Sequence, residues 1–415
     1  MKQFLKILIM ILLISITNVY AKDTVYSLNK YAEEKWSYME HSYSKDNKRD
    51  GMIVAGEVLK ETITENDNTY KNYQVIIAKY NNNGHLNWTY SYGNTSEDRV
   101  DSLTYTYDEE KNVKGYLIAV PKTYDALTEA MGDNNTLLLE LDLEGKYVKE
   151  FDIPEGIIEK IIPISDGYIA IMNTHTGSSL VHYNSNLETI WKRDFQEVEA
   201  KDLIVLTEDN KEVGYVIIRG NQVVLLNENG ENEKVIEELE NKPYVSLENT
   251  KTGYRIYGIT KDVKLKKGNA SYFIQEYTRE EQLWEVIGDI PVHPDKKVFL
   301  KNNLLLYQNK ADSSYEVIEL DQDGLVVKKV KKIKNDYYQI ENFMSKKNTL
   351  YFIGQIKCPE DDNCEYNQNS LYIISDEDKV IEVEDKESTN IIIVIGTVLI
   401  VLVGLIYIKK KKGLE

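Results

Sequence analysis

Short apolar segments alternate with polar turns over most of the chain. Five apolar segments begin at a glycine, namely Gly51, Gly115, Gly167, Gly214 and Gly253. A second segment follows each of them, and in it apolar and polar side chains alternate, as in residues 73–80. Apolar runs bounded by turn residues predict buried β-strands, and strict alternation predicts half-buried ones. No long stretch with a helical period interrupts residues 22–383, so the pattern predicts an all-β protein.

Each unit continues in the same order after its second segment. A tight turn rich in Asn, Asp and Gly comes next, as in Asn83-Gly84 and Asp323-Gly324, and such residues tolerate the positive φ of hairpins. A third segment then carries a large apolar side chain, such as Trp88, Trp191 or Trp284. A fourth apolar segment closes most units, so each unit is expected to hold four strands.

The units repeat at a regular distance. Two weaker starts at residues 303 and 349 bring the number of units to seven, with a mean spacing of about 50 residues, which is typical of four-stranded propeller blades. We therefore expect a seven-bladed β-propeller, within a range of six to eight blades. The strand around Trp36 is expected to pair with the incomplete last unit and close the ring. A pair of β-sandwiches or an open solenoid is the alternative.

The first unit carries a recognisable repeat motif. Trp88, Tyr92 and Gly93 are followed by an acidic turn that ends at Asp98 and then by a Gly-Tyr-Leu-Ile start. This resembles the extracellular propeller repeats of bacteria with the pattern Trp-x-x-x-Tyr-Gly-Gly, although Asn94 replaces the second glycine. The resemblance implies the fold and no particular activity, because propellers host unrelated functions.

The N-terminus resembles a secretory signal. A basic head precedes the apolar run of residues 7–16, and small residues occupy Val19 and Ala21. The run is too short to span a bilayer, so residues 1–21 are predicted to be a signal peptide that is cleaved after Ala21.

The other end of the chain predicts a membrane anchor. The run that begins at Ile391 and ends at Ile408 has 18 uncharged residues and is followed by four lysines. Such a run covers about 27 Å as a helix, close to the hydrocarbon thickness of a bilayer. We expect an ectodomain over residues 22–388, a single transmembrane helix over 389–408 and a cytoplasmic basic tail over 409–415. The protein would then lie on the surface of a cell, and its composition suggests a bacterium.

Composition narrows the range of partners. The formal net charge of −18 argues against nucleic acid as a ligand. Cys358 and Cys364 are the two cysteines of the chain, and in a polar loop outside the cytoplasm they are expected to form a disulfide. A metal or redox pair is the minor alternative for these cysteines.

The sequence offers little catalytic chemistry. The histidines lack the spacing of a metal site or a catalytic triad; they are His41, His85, His175, His182 and His293. No nucleophile elbow, zinc helix or phosphate loop occurs, so no cofactor, metal or catalytic residue is predicted. Residues 321–324 resemble the start of a calcium loop but lack its later ligands, which favours a hairpin turn. Carboxylates could still meet at the centre of the propeller, and this keeps an enzyme hypothesis open.

The leading hypothesis is a non-catalytic binding module for an extracellular protein or an envelope polymer. Four insertions join the first and second strands of their units and are expected to share one rim; they cover residues 60–72, 122–134, 261–270 and 358–368. A hydrolase or lyase that uses acidic residues of the central channel is one alternative. A structural subunit of a membrane complex is the other.

Overall fold

The computed structural model describes residues 24–26, 34–65, 68–93, 98–125, 130–154, 156–209, 211–261, 270–333, 338–346, 349–356 and 368–375. Every regular element in these ranges is a β-strand, and they contain no helix. The 28 strands form antiparallel sheets of four strands each. The all-β prediction therefore agrees with the part of the chain that is described.

Six of the sheets are blades made of four consecutive strands. Strand β1 is Thr24–Tyr26, and blade 1 follows it with β2 Glu34–Tyr43, β3 Arg49–Glu65, β4 Asn68–Asn81 and β5 Leu86–Tyr92. Blade 2 comprises β6 Ser102–Tyr107, β7 Val113–Asp125, β8 Ala130–Asp142 and β9 Tyr147–Ile153. Blade 3 comprises β10 Ile157–Ile164, β11 Gly167–Thr174, β12 Gly177–Asn184 and β13 Thr189–Gln196.

The second half of the ring repeats this plan. Blade 4 comprises β14 Ala200–Glu208, β15 Lys211–Arg219, β16 Gln222–Leu226 and β17 Lys234–Glu238. Blade 5 comprises β18 Ser246–Asn249, β19 Tyr254–Thr260, β20 Ser271–Tyr277 and β21 Gln282–Ile287. Blade 6 comprises β22 Phe299–Lys301, β23 Leu304–Gln308, β24 Tyr315–Leu320 and β25 Val326–Ile333.

One further sheet joins the two ends of the described chain. It comprises β26 Tyr338–Lys346, β27 Thr349–Ile356 and β28 Gln368–Ser375, and the three-residue strand β1 pairs with β28. Strand β26 lies beside β22 of blade 6 and beside β2 of blade 1. This composite sheet therefore closes the ring between blades 6 and 1.

The expectation of a seven-bladed propeller is wrong, and the described part of the chain gives no support to the expected transmembrane helix. Six of the described sheets are blades of four consecutive strands, and the strand around Trp36 is the first strand of blade 1 rather than the closing strand of the last unit. No helix in the described ranges is long and apolar enough to cross a membrane. The run from Ile391 to Ile408, the site after Ala21, and Cys358 and Cys364 lie outside the described residues.

The repeat also begins one strand earlier than the sequence suggested. The glycine starts mark second strands, and the apolar segments that seemed to close each unit are the first strands of the following blades. The predicted insertions consequently join second and third strands. The described parts of residues 60–72 and 122–134 extend the pairing of their strands, whereas most of residues 261–270 and 358–368 lie outside the described residues.

The apolar core is divided into layers between neighbouring sheets. Ile53 and Val75 of blade 1 pack in one cluster with Ile118 and Leu139 of blade 2, and all are fully buried. Equivalent clusters lie between each following pair of blades and between blade 1 and the composite sheet. Burial of aliphatic surface at about 25 cal/mol per Å² therefore holds each blade to its neighbours.

A tryptophan joins blades in pairs. Trp88, Trp191 and Trp284 lie on the outermost strands of blades 1, 3 and 5. Each indole covers a turn glycine of the next blade, and the glycines are Gly145, Gly230 and Gly324, with φ of 77°, 70° and 76°. A Cβ atom on Gly145 would lie 2.5 Å from the ring of Trp88. At the equivalent positions of blades 2, 4 and 6, four residues after these glycines, the sequence has Lys149, Lys234 and Lys328.

In the first repeat motif, the side chain of Asp98 lies against Gly93. Gly93 has φ of 116°, and a Cβ atom there would lie 2.0 Å from Oδ2 of the buried Asp98. The carbonyl of Gly93 accepts a hydrogen bond of 2.6 Å from Nε2 of Gln74. Gly93 and Asp98 lie between the last strand of blade 1 and the first strand of blade 2, so these contacts stabilise the connection between the two blades.

Candidate functional site

The first strands of the blades surround the centre of the propeller. Each pairs with the second strand of its own sheet and leaves its other edge unpaired among the described strands. Strand β2 lies beside β6, β6 beside β10, and β10 beside β14. Three first strands contain a bulge near their start, at Trp36/Tyr38, Ile158/Lys160 and Ala200/Asp202. Bulges redirect side chains and are frequent at the rims of closed sheets.

Six polar side chains meet at this end of the first strands, and we call them the central cluster. Its members are Tyr38, Arg99, Asp101, Glu159, Lys160 and Asp202. The sequence did not single them out, because each is an ordinary charged or aromatic residue beside an apolar segment. Only the three-dimensional pairing of blades brings them together.

Arg99 and Asp101 form the most regular pair of the central cluster. Nε of Arg99 donates to Oδ1 of Asp101 at 2.8 Å, and Nη2 donates to Oδ2 at 3.1 Å. The hydroxyl of Tyr38 donates to the backbone carbonyl of Asp101 and so joins blade 1 to the start of blade 2. Burial raises the pKa of the Asp101 carboxyl, although Arg99 opposes this shift.

Glu159 is the second carboxyl of the central cluster with a raised pKa. Burial is the main cause, and the nearby charges of Asp101 and Glu199 add to it. Nδ2 of Asn173 donates to Oε1 of Glu159 at 3.2 Å and to the carbonyl of Ala200 at 3.0 Å. Asn173 thereby joins blade 3 to blade 4.

Asp202 connects three blades. Its Oδ1 accepts hydrogen bonds from Nζ of Lys160 in blade 3 at 2.6 Å and from the backbone N–H of Leu203 at 2.8 Å. Its Oδ2 accepts the backbone N–H of Leu247 in blade 5 at 2.8 Å. The Asp202 carboxylate is therefore occupied by bonds that join blades 3, 4 and 5.

A second feature lies at the connections between second and third strands. Strands β3 and β4 of blade 1 have 17 and 14 residues, whereas β11 and β12 of blade 3 have 8 each. Pairing between β3 and β4 continues to Glu65 and Asn68. Pairing of β3 with β2 ends at Val58, and pairing of β4 with β5 ends at Val75. Residues 59–65 and 68–74 therefore form a two-stranded ribbon beyond the sheet, which we call the arm.

The arm has an ordered base and two edges that no other described strand flanks. Nδ2 of Asn72 donates to Oε1 of Glu61 across the ribbon at 3.0 Å. Seven residues beyond Val58, at about 3.3 Å each, give the arm a length of about 20 Å. Blade 2 carries a shorter extension in the equivalent place, because β7 and β8 remain paired to Asp125 and Ala130.

The outermost strands of the blades differ from the arm. Each of β5, β9, β13, β17, β21 and β25 contains a bulge against its neighbour. In the arm, the pairing of β3 with β4 is regular from Glu61 to Glu65. The one register shift lies at the base of the arm, between Leu59 and Glu61. Because bulges protect an edge from pairing with another chain, the arm is the less protected edge.

The predicted chemical residues are dispersed. His182 is buried with its Nε2 3.1 Å from Oδ1 of Asp166, and it packs edge-on against Trp191. The described histidines do not gather, and no group of three or more metal-ligating side chains occurs in the described ranges. Asp321 forms a hairpin turn, in which its Oδ1 accepts the backbone N–H groups of Asp323 and Leu325 at 2.9 and 2.8 Å.

Comparisons with known proteins give structural neighbours alone. No protein-family model matches the chain, and no curated protein matches its sequence. BamB from Moraxella catarrhalis is 11% identical, with a TM-score of 0.40, over 84% of this chain and 99% of its own. The β-propeller domain of the Trilobed protease from Pyrococcus furiosus is 12% identical, with a TM-score of 0.44, over 85% and 99%.

A third solved structure is comparably distant. The periplasmic gluconolactonase PpgL of Pseudomonas aeruginosa is 9% identical, with a TM-score of 0.45, over 83% of this chain and 99% of its own. Identities and TM-scores this low carry no argument about the fold, so the assignment of a propeller depends on the strand topology described above.

Proposed function

We propose that the protein is a non-catalytic binding module that recognises another protein through the arm. The observation that carries the proposal is the extension of β3 and β4 far beyond the length that the blade requires. A two-stranded hairpin is marginally stable in water by itself, so an arm of this length is expected to gain stability from a partner. An extended segment that adds a strand to an open edge is an established mode of recognition.

The exposed side chains of the arm support this function. Lys60, Glu61, Thr62, Thr64 and Lys71 are exposed, and they mix both charges with β-branched residues. Such an edge offers backbone hydrogen bonds to a partner strand and charged side chains for selectivity. In the central cluster, the Asp202 carboxylate binds neighbouring blades and is therefore less available to a substrate.

Shortening the arm is expected to abolish capture of a protein partner. In the variant, an Asn-Gly turn replaces residues 60–71, which leaves the blade itself intact. Mild cross-linking of the full-length protein in its native cells, followed by mass spectrometry, would compare this variant with the wild type. We expect a stoichiometric partner with the wild type and at least a tenfold loss with the variant.

Two controls make this result specific. A length-matched Gly/Ser replacement of residues 61–71 removes the ribbon but keeps the chain, and it is expected to lose the partner as well. Val327→Thr removes an apolar side chain that is 61% exposed on β25 and should leave capture unchanged. A partner retained by both arm variants would disprove recognition through the arm, and enrichment of a polymer without protein would disprove a protein ligand.

One observation favours a hydrolase as the second candidate. Asp101 and Glu159 have raised pKa values and lie near Tyr38 at the centre. A raised pKa moves a carboxyl in the direction that a general acid requires. A catalytic centre would lose at least 100-fold of its turnover in both Asp101→Asn and Glu159→Gln, measured on panels of glycosides and esters. A binding module gives no turnover above buffer in the wild type.

A further inference from the structure

A crevice of about 500 Å³ lies where the turns of blades 1 and 2 meet. It is bounded by three turns, which join β2 to β3, β6 to β7 and β8 to β9. The arm extends from a connection between second and third strands, so the antiparallel order of the strands places the crevice at the opposite rim. The crevice therefore belongs to neither the arm nor the central cluster.

Contacts between blades 1 and 2 fix side chains that line the crevice. Nδ2 of Asn47 in blade 1 donates to Oδ1 of Asn112 in blade 2 at 3.0 Å. Oδ1 of Asn47 accepts the backbone N–H of Val113 at 3.3 Å. Because these groups are held in place by the protein itself, a ligand that binds here orders few side chains, and the entropic cost of binding is low.

The carboxylate of Asp142 carries a charge that its turn does not require. Its Oδ1 accepts the backbone N–H groups of Glu144 and Lys146 at 2.8 and 2.9 Å, while its Oδ2 has no hydrogen bond with any residue that the structure describes. Asparagine accepts the same two bonds in blades 1, 3 and 4. These residues are Asn81, Asn184 and Asn227. The turn therefore needs one acceptor oxygen and no charge, so the second oxygen of Asp142 is available to a ligand.

The lining of the crevice is polar and contains charges of both signs. Val113 and Leu143 are the two apolar members of its lining, and both are buried, so a peptide finds no apolar pocket for an anchoring side chain. The charged members are four carboxylates and two lysines, namely Asp46, Asp108, Asp142, Glu144, Lys45 and Lys114. This excess of negative charge repels an anion. Hydroxyl groups, which both donate and accept, match a lining of acceptors and donors.

A smaller cavity of about 60 Å³ continues the crevice toward blade 3. It shares Asp108 and Lys114 with the crevice, and its lining includes Tyr107 and Tyr168. Glu140 also lines this cavity, is 5% exposed, and lies 3.4 Å from Nζ of Lys114. Tyrosine joins an apolar ring to a hydroxyl, and a sugar likewise joins C–H faces to hydroxyls. The smaller cavity therefore adds aromatic side chains to the polar lining.

We propose that this crevice binds an uncharged saccharide. Oδ2 of Asp142 accepts a hydrogen bond from a sugar hydroxyl, and so does Asp46, which forms no ion pair with the residues that the structure describes. Nζ of Lys114 donates to a sugar oxygen at the passage between the two cavities. Hydrogen bonds that involve an ionised group are roughly twice as strong as neutral ones. The site goes beyond the proposed function, because the arm takes no part in it.

The test is calorimetric titration of the purified full-length protein with neutral tetrasaccharides of glucose, galactose, mannose and N-acetylglucosamine. At least one of them should bind, and Asp142→Asn should weaken that binding about tenfold, because it replaces an ionised acceptor. Asp321→Asn is the matched control. Oδ1 of Asp321 accepts the N–H groups of Asp323 and Leu325 in the same kind of turn in blade 6, outside the crevice, so its affinity should equal that of the wild type.

Thermal unfolding should give the same Tm for Asp142→Asn and the wild type, since asparagine supports this turn in three other blades. Failure of all four saccharides to bind, or equal affinity of Asp142→Asn and the wild type, would overturn the proposal. Spermidine bound as tightly as the saccharide would also overturn it, because charge rather than hydroxyl groups would then be recognised. Capture of a protein partner through the arm should be unchanged in Asp142→Asn. A loss of that partner would assign the crevice to the protein interface instead.

Discussion

Gly145→Ala is expected to lower the free energy of unfolding by about 3 kcal/mol. The new Cβ would lie 2.5 Å from the ring of Trp88, and a left-handed φ of 77° adds a further cost for any L side chain. Overpacking of this kind typically costs 1–3 kcal/mol, and the left-handed backbone about 1 kcal/mol more. Urea denaturation followed by tryptophan fluorescence would measure the loss.

Gly220→Ala is the matched control for this substitution. Gly220 has φ of 58°, but the nearest atom to a new Cβ is the flexible Cγ1 of Val198 at 3.3 Å. The free energy of unfolding of Gly220→Ala should therefore fall by only about 1 kcal/mol, which is the cost of the left-handed backbone alone. Equal losses for Gly145→Ala and Gly220→Ala would show that the contact between Trp88 and the turn does not stabilise the pair of blades.

Arg255→Leu is expected to destabilise the protein by about 3–5 kcal/mol, because it leaves Glu276 buried without its cation. Chemical denaturation would measure the loss.

Lys234→Met is the control for Arg255→Leu. It breaks the pair of Lys234 with Glu280 at 2.9 Å, and both side chains are about half exposed. Such a pair contributes less than about 1 kcal/mol. The double variant Arg255→Leu/Glu276→Leu should recover part of the stability, because it removes the stranded charge. A loss for Arg255→Leu as small as that of the control would contradict the buried pair.

Much of the strand pattern could be predicted from the sequence, because apolar runs such as those after Gly115 and Gly167 are second strands buried on both faces. The sequence did not reveal which strand is the first of each blade. First strands contain bulges and charged residues such as Lys160 and Asp202, which interrupt their alternation. Strand β1 has three residues and no pattern of its own, so the closing strand was assigned to the segment around Trp36.

The sites were less accessible to sequence reasoning than the fold. The pattern predicts an insertion over residues 60–72, although Thr62, Ile63 and Thr64 favour strands, and the described part of this range belongs to the arm. The central cluster depends on contacts between blades. A pattern along one chain does not show which charged side chains, such as Asp202, will be buried against a neighbouring blade.

The pairing of blades by tryptophan has a mechanical consequence. If the chain is pulled from its ends, the three-residue pairing of β1 with β28 should break first and open the ring at low force. The blades would then resist unfolding in pairs, because an indole of one blade covers a turn glycine of the next. The pairs are blades 1 and 2, blades 3 and 4, and blades 5 and 6. Extension under force should therefore proceed in steps of about two blades rather than one.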